Sequence, residues 1–294
     1  MKKFIPMAIK HKISGIKNEI YSKKIYLKRK ITRKFGHTLS REMSDYLREI
    51  DEKGFVTIKR PEFIRIANFL NPLEDGSKSE INFDELKGVP VPGISNSAGI
   101  SNYWCSFKSQ VIQKIFFDQE ILSMLVAYAG TQLHYRQSPI LEKHAYNGSE
   151  LLNSNRREWA NLLHTDYHLQ INIMLLLTDI NKETTKTLYA QGSNNRNFLL
   201  QAGKIDYPKS ELLVKKHGYK ITPLLGKRGD LLIMDTGGFH AAEIIAGSNR
   251  TMLIGIMNTG FPFKQYHENL NELNIQSEYD FVKNTICAKK KVNG

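Results

Sequence analysis

Cysteine is nearly absent from this 294-residue chain: Cys105 and Cys287 are the only two, far apart. No C-x-x-C pair exists, which argues against a zinc knuckle or a thioredoxin-type redox pair. Nothing demands a disulfide, so a reducing, cytoplasmic compartment is the expectation, with the inner face of the membrane as a peripheral alternative. An uninterrupted apolar run of about 18 residues is also missing, so no transmembrane helix is expected. The apolar stretch from Phe4 to Ile9 is too short for a signal-peptide core, and lysines interrupt the residues after it. There is no internal repeat and no low-complexity segment.

Charge excess is lacking too, once the first 35 residues are set aside. Those residues hold twelve Lys/Arg against a single acid, Glu19, and so carry +11 of the formal +13. The nearly neutral body argues against a nucleic-acid partner, because such binders gather basic residues along a groove of the body. Within the arm, Ile5, Ile9, Ile13, Ile16, Ile20, Leu27 and Ile31 recur mostly at spacings of three and four, with lysines between. That is the pattern of a basic amphipathic helix, suited to an anionic membrane surface. The alternative is a helix whose isoleucines pack on the body.

What is present is an ordinary globular composition, 41% hydrophobic and 24% charged, enough for a sizeable core. Three segments are expected: a basic arm (1–38), one domain (39–270) and a C-terminal helix or tail (271–294). Residues 40–52 read as a helix capped by Ser40, followed by Gly54 and a strand at 55–58. Residues 73–102, rich in Gly, Pro, Ser, Asn and Asp, read as mostly loop. Residues 109–129 read as a single helix with Ile112, Ile115, Phe116, Ile121, Leu122 and Leu125 as its buried stripe. Beyond Gly130 come short β-like runs at 133–136, 171–177, 187–190, 230–235 and 251–258, separated by turn residues. Helices first and short strands later point to an α+β protein with a mainly β core, a sandwich or jelly roll with supporting N-terminal helices.

The chemistry-bearing pattern is His164-Thr-Asp166, directly before an apolar run. In a strand, residues i and i+2 share a face, so an imidazole and a carboxylate converge. His240, after Gly229-Asp230 and a strand, offers a third ligand. Two histidines and one carboxylate make the facial triad of non-haem iron(II), leaving positions open for a bidentate 2-oxo acid and dioxygen. A closed zinc site would use four protein ligands, and none is placed for it. Arg250 follows ten residues after His240 and is suited to clamp a carboxylate through two parallel hydrogen bonds.

These residues carry a resemblance. The segments LLHTDYHLQINIMLLLTDIN (162–181), TLYAQGSNN (187–195) and KRGDLLIMDTGGFHAAEIIAGSNRTML (227–253) resemble the phytanoyl-CoA dioxygenase family of iron(II)/2-oxoglutarate oxygenases. The front half is similar too, so the likeness spans roughly residues 40–260. It implies a double-stranded β-helix, iron(II) on His164, Asp166 and His240, and 2-oxoglutarate on Arg250. The implied reaction couples decarboxylation of 2-oxoglutarate to succinate with hydroxylation of a second substrate. Three departures stand out: Gln191-Gly-Ser-Asn194 replaces a P-G-S-H turn, Ala242 replaces a Ser or Thr, and ETTKT replaces a glycine-rich turn. A halogenase is disfavoured because Asp166 is present.

Asn172 and Thr187, on core strands, are candidate 2-oxoglutarate contacts, or else satisfy backbone groups of the barrel. Arg156, Arg157 and His168 are candidates for an anionic substrate, or else solvated loop charge; Tyr135, Arg136 and Lys143 complete the polar set, with Lys143 and Arg136 the basic alternates to Arg250. The substrate class expected is a small molecule, a glycan or a lipid-linked sugar, with enzymes of bacterial surface-glycan assembly as the likeness. The alternatives are a relative that binds a ligand without chemistry, whose signature would be a lost triad residue, and a basic-arm protein associated with nucleic acid.

Overall fold

Ser40 opens the first described helix: its Oγ accepts from the Met43 amide at 3.3 Å and caps α1, Arg41–Lys53. Gly54 ends that helix at φ 89°, a conformation that costs glycine nothing. In this computed structural model the residues described are 39–71, 81–86, 89–90, 100–130, 133–135, 138–145, 162–166, 170–195, 208–245 and 247–258. The basic arm, the segment 271–294, and Arg136, Arg156, Arg157 and His168 lie outside them.

Strand β1 (Phe55–Ile58) leads to α2 (Pro61–Leu70), whose proline occupies the first turn, where no amide donor is needed. The stretch 73–102 is not all loop. It contains α3 (Phe83–Leu86), β2 (Val89–Pro90) and the start of β3 (Ile100–Trp104), which gains its strand form by pairing with a later strand. The single helix expected over 109–129 is two, α4 (Gln110–Phe116) and α5 (Gln119–Ala129). Asp118 causes the break. Its Oδ1 accepts from the Ile121 amide at 2.9 Å, and its Oδ2 pairs with Arg60 at 3.0 Å, so it caps a new helix instead of continuing the old one.

The remaining elements are β4 (His134–Tyr135), β5 (Ile140–Ala145), β6 (Gln170–Leu176), β7 (Lys186–Ala190), α6 (Lys209–His217), β8 (Ile221–Leu224), β9 (Leu231–Asp235), β10 (His240–Glu243) and β11 (Asn249–Asn258). The apolar runs account for β6, β7, β9 and β11. Strands β5, β8 and β10 and helix α6 carry weaker patterns that the sequence alone leaves unassigned.

The strands form two antiparallel sheets. The larger runs β1-β9-β6-β11-β5-β3-β2, with β4 beside β11; the smaller runs β10-β7-β8. From β5 onward the chain passes between them: β6 in the large sheet, β7 and β8 in the small one, then β9 large, β10 small, β11 large. Winding alternately through two facing sheets makes a double-stranded β-helix, the mainly β core that the strand pattern implied. Side-chain alternation then divides the strands' residues. Ile173, Leu175, Ile233, Leu253 and Met257 pack against the helices. Met174, Leu176, Leu232, Met234, Met252 and Ile254 face the interior, where they meet Tyr189 and Leu224 of the small sheet.

Candidate metal centre

His164 and His240 pair across a single antiparallel bridge. The amide of each donates to the carbonyl of the other, at 3.0 and 2.9 Å. This sets their imidazoles side by side, ring centroids 4.4 Å apart. Asp166, two residues on, donates its amide to Thr236 O at 2.8 Å, and its Oδ2 lies 3.8 Å from His240 Nε2. One ligand atom from each of His164, Asp166 and His240 lies within 4.8 Å of the others. Among the described residues this is the group of three metal-capable side chains so gathered.

The ring tautomers follow from their neighbours. His164 Nδ1 lies 2.8 Å from Leu162 O, and His240 Nδ1 lies 3.0 Å from Gly238 O. A carbonyl only accepts, so each Nδ1 carries the proton and each Nε2 keeps its lone pair, the form a metal needs. Asp166 is aimed by Gln170, whose Nε2 donates to its Oδ2 at 2.8 Å. Gln170 O in turn accepts from Thr236 N and Oγ1, tying the ligand loop to the end of β9. Nothing in the sequence gave Gln170 a role; the available signal was an amide side chain four residues after the acid, opening an apolar strand.

The turn that delivers His240 is anchored by a buried polar set. Asp235 Oδ2 accepts from Tyr128 Oη at 2.6 Å, and its Oδ1 accepts from the Gly237 amide at 2.9 Å. Tyr189 Oη donates to Asp235 O at 2.7 Å. That phenol lies against Gly238, where a Cβ would collide with its oxygen, so the turn requires glycine there. The Gln191–Asn194 turn contributes as structure: Ser193 Oγ accepts from the Phe239 amide, and Asn194 donates to Ile50 O, Asp51 O and Tyr128 Oη.

The other predicted residues fall into two groups. Arg250, 4% exposed, is the second residue of β11 and shares the interior face with Met252 and Ile254. Its Nη2 donates to Glu142 Oε1 at 2.8 Å, and its Nε is buried with no hydrogen-bond partner. The ETTKT segment positions it. Thr185 N donates to Ser248 Oγ, and the Ile245 amide donates to Thr185 Oγ1, pinning the turn just before β11. Asn172 and Thr187 also lie on interior-facing positions and are only half-buried; Asn172 Oδ1 has no partner. Thr187 sits directly across from Ala242. Asn172 shares a row with Ile256, six residues from Arg250 along β11, or roughly 20 Å at strand rise.

Tyr135 and Lys143 are elsewhere. Tyr135 is buried beside Phe107, Phe116 and Phe117, and its hydroxyl donates to Phe116 O. Lys143 is exposed on the outer face of β5, while its neighbours Glu142 and His144 point inward at Met252 and Arg250. Sequence reading named the lysine and missed the two inward residues, because parity within β5 was not visible until its pairing was known. Burial alone raises the Glu142 carboxyl, but His144 and Arg250 outweigh it and hold it at about 2. Glu142 is therefore an anion at any ordinary pH.

No protein-family profile and no curated protein matches the sequence. Solved structures similar to it include the non-haem alpha-ketoglutarate-dependent epimerase SnoN from nogalamycin biosynthesis, at 11% identity, covering 74% of this chain and 83% of that one, TM-score 0.49. HygX from Streptomyces hygroscopicus, with nickel and 2-oxoglutarate bound, is 16% identical over 81% of this chain and 93% of its own, TM-score 0.47. EctD from S. alaskensis with bound iron is 15% identical over 75% and 77%, TM-score 0.46.

Proposed function

We propose that this chain is an iron(II), 2-oxoglutarate-dependent dioxygenase that hydroxylates a small-molecule, glycan or lipid-linked substrate. The observation that carries the reading is the gathering of His164, Asp166 and His240 within 4.8 Å, with both histidine Nδ1 atoms committed to backbone carbonyls. Two imidazoles and one carboxylate on one side of an ion leave the other side open, which suits non-haem iron and not a closed structural zinc site. The residue set also supports a relation to the phytanoyl-CoA dioxygenase family, since the motifs that resemble it are those that build this cluster.

When bound, iron(II) and 2-oxoglutarate supply the oxidising power: the co-acid leaves as succinate and carbon dioxide, and dioxygen provides the oxygen inserted into a C–H bond. The chain's own part is geometry and exclusion of water. His164, Asp166 and His240 hold the ion, and Gln170 keeps the Asp166 carboxylate turned toward it. Arg250 takes the far carboxylate of the co-acid; its unpartnered buried Nε fits that role, because a buried donor without an acceptor is costly until a ligand satisfies it. Thr187, across from Ala242, brings to the cosubstrate side the hydroxyl that position 242 lacks. Asn172, half-buried on the interior face of β6 with its Oδ1 unpartnered, is a further contact offered to the co-acid. Met174, Met234, Met252 and Ile254 line the interior and keep it dry.

The basic segment 1–35 is assigned, on its sequence alone, to an anionic lipid surface, which would place the enzyme beside a lipid-linked substrate. Among the described residues, no helix is long and apolar enough to cross a membrane. The test of the central reading is an anaerobic titration with iron(II) and 2-oxoglutarate, followed by a succinate-release screen against glycans and lipid-linked sugars. One iron and one co-acid per chain are expected; failure to bind 2-oxoglutarate in the iron-loaded state would overturn it.

A further inference from the structure

We propose that Glu142 and His144 belong to the co-acid site, and that 2-oxoglutarate binds at Arg250 together with one proton, taken up by His144. The inference rests on the function proposed above. Its basis is a three-membered cluster on the interior face. Arg250 Nη2 lies 2.8 Å from Glu142 Oε1, His144 Nε2 lies 2.7 Å from the same oxygen, and Arg250 and His144 are cross-strand partners. The Glu142 side chain keeps 21% of its surface accessible although it points inward, so open space reaches the cluster.

A carboxylate held at about 2 carries no proton, so the proton between Glu142 and His144 belongs to Nε2. With His144 neutral, Arg250 and Glu142 cancel. A guanidinium already neutralised by an internal carboxylate attracts a second carboxylate poorly, and the two anions repel across it. Adding a proton to the second nitrogen of His144 restores a net positive charge, which the incoming carboxylate then balances. Geometry leaves room for both acids: Glu142 occupies Nη2, and Nε remains without a partner.

The surroundings offer no other compensating charge among the described residues. On β3, the residues facing His144 and Glu142 are Ile100 and Asn102. Beyond β11, β6 presents Leu176, Met174 and Asn172. The small sheet contributes Thr187, Tyr189 and Leu224, and Tyr189 Oη is engaged by Asp235 O. Lys143 is on the outer face of β5, and Lys186 pairs with Glu243 at 2.8 Å. The metal-binding end carries His164, Asp166 and His240.

The test is anaerobic calorimetry of the full-length, iron(II)-loaded protein with 2-oxoglutarate at pH 8, in two buffers of different ionisation enthalpy. The difference between the buffers should report close to one proton taken up per co-acid, and the dissociation constant should weaken by up to about tenfold for each pH unit raised. Glu142→Gln should bind without proton uptake and with an affinity nearly independent of pH, because Arg250 is then no longer neutralised. Binding by the parent protein with no proton uptake would overturn this inference while leaving the oxygenase reading intact. So would undiminished uptake in Glu142→Gln, which would place the proton elsewhere. No binding of 2-oxoglutarate at all would overturn both. The parent measurement decides the matter even if the variant folds poorly.

Discussion

His164 and His240, 76 positions apart in the chain, exchange both of their backbone hydrogen bonds, at 3.0 and 2.9 Å. The metal-binding geometry is thus written into a main-chain bridge and does not depend on two loops meeting by chance. Because the bridge is made by backbone atoms, side-chain substitutions should empty the site without undoing it. His164→Ala, Asp166→Ala and His240→Ala should each greatly weaken iron(II) binding, with near-native far-ultraviolet circular dichroism. Three variants that all bind iron as the parent does would refute the assignment.

Gln170 donates to Asp166 Oδ2 at 2.8 Å and stands behind the ligand, not in it. Partners of this kind typically contribute 10–100-fold to metal affinity. Gln170→Ala should weaken iron(II) binding by about that factor, whereas Gln170→Glu should harm it at least as much, since two carboxylates would then face each other. Equilibrium dialysis against iron(II) under argon measures both.

Among the described residues, Arg250 is the buried guanidinium of the interior. Removing one partner of a buried charge pair costs about 2–5 kcal/mol. Arg250→Ala should therefore raise the apparent 2-oxoglutarate constant on the order of 30-fold or more. An unchanged constant would require another cation at the site. Lys143 is not one, since it faces outward on β5.

Acid should expose the Glu142 pairing. Its carboxyl is held at about 2, below the ordinary 4.5. A lowered folded-state value means that the unfolded chain takes up the proton first. The stabilisation is complete above about pH 4.5 and is lost as the pH falls toward 2. It amounts to at most about 3 kcal/mol. Glu142→Gln should flatten the dependence of chemical-denaturation stability on pH within that window. An identical acid profile in parent and variant would mean that the pairing contributes nothing.

The arm makes a separate prediction. Twelve basic residues in 1–35, each contributing about 1 kcal/mol when near an anionic surface, should bring the full-length protein down with anionic vesicles at low salt. Deleting residues 1–35 should abolish that sedimentation and leave iron binding unchanged. A full-length protein that ignores such vesicles, or a deletion that is insoluble, would favour packing of the isoleucines on the body.

Much was legible in the chain itself, because the relevant rules are local. Short β-like runs separated by turn residues announced β6, β7, β9 and β11. Ser40 and Gly54 bounded α1 through capping chemistry. His164 and Asp166 at i and i+2 announced a shared face, and His240 after a glycine-bounded strand completed a recognisable ligand set. Each signal lies within a window of a few residues, so a sequence can state it alone.

What the chain could not state depends on partners far away. The helix expected over 109–129 breaks because Asp118 meets Arg60, 58 residues earlier. Glu142 and His144 become interior residues only through the register of β5 with β11, and a shift of one residue would have sent Lys143 inward instead. Gln170 and Asp166 share a distant partner: Thr236, 66 residues beyond Gln170, accepts from the Asp166 amide and donates to Gln170 O. The ligand triad was a matter of residue type and spacing. The counter-charge that Arg250 meets was decided by strand pairing across about a hundred residues, where local pattern has no reach and only the packed sheet sets which side chains face one another.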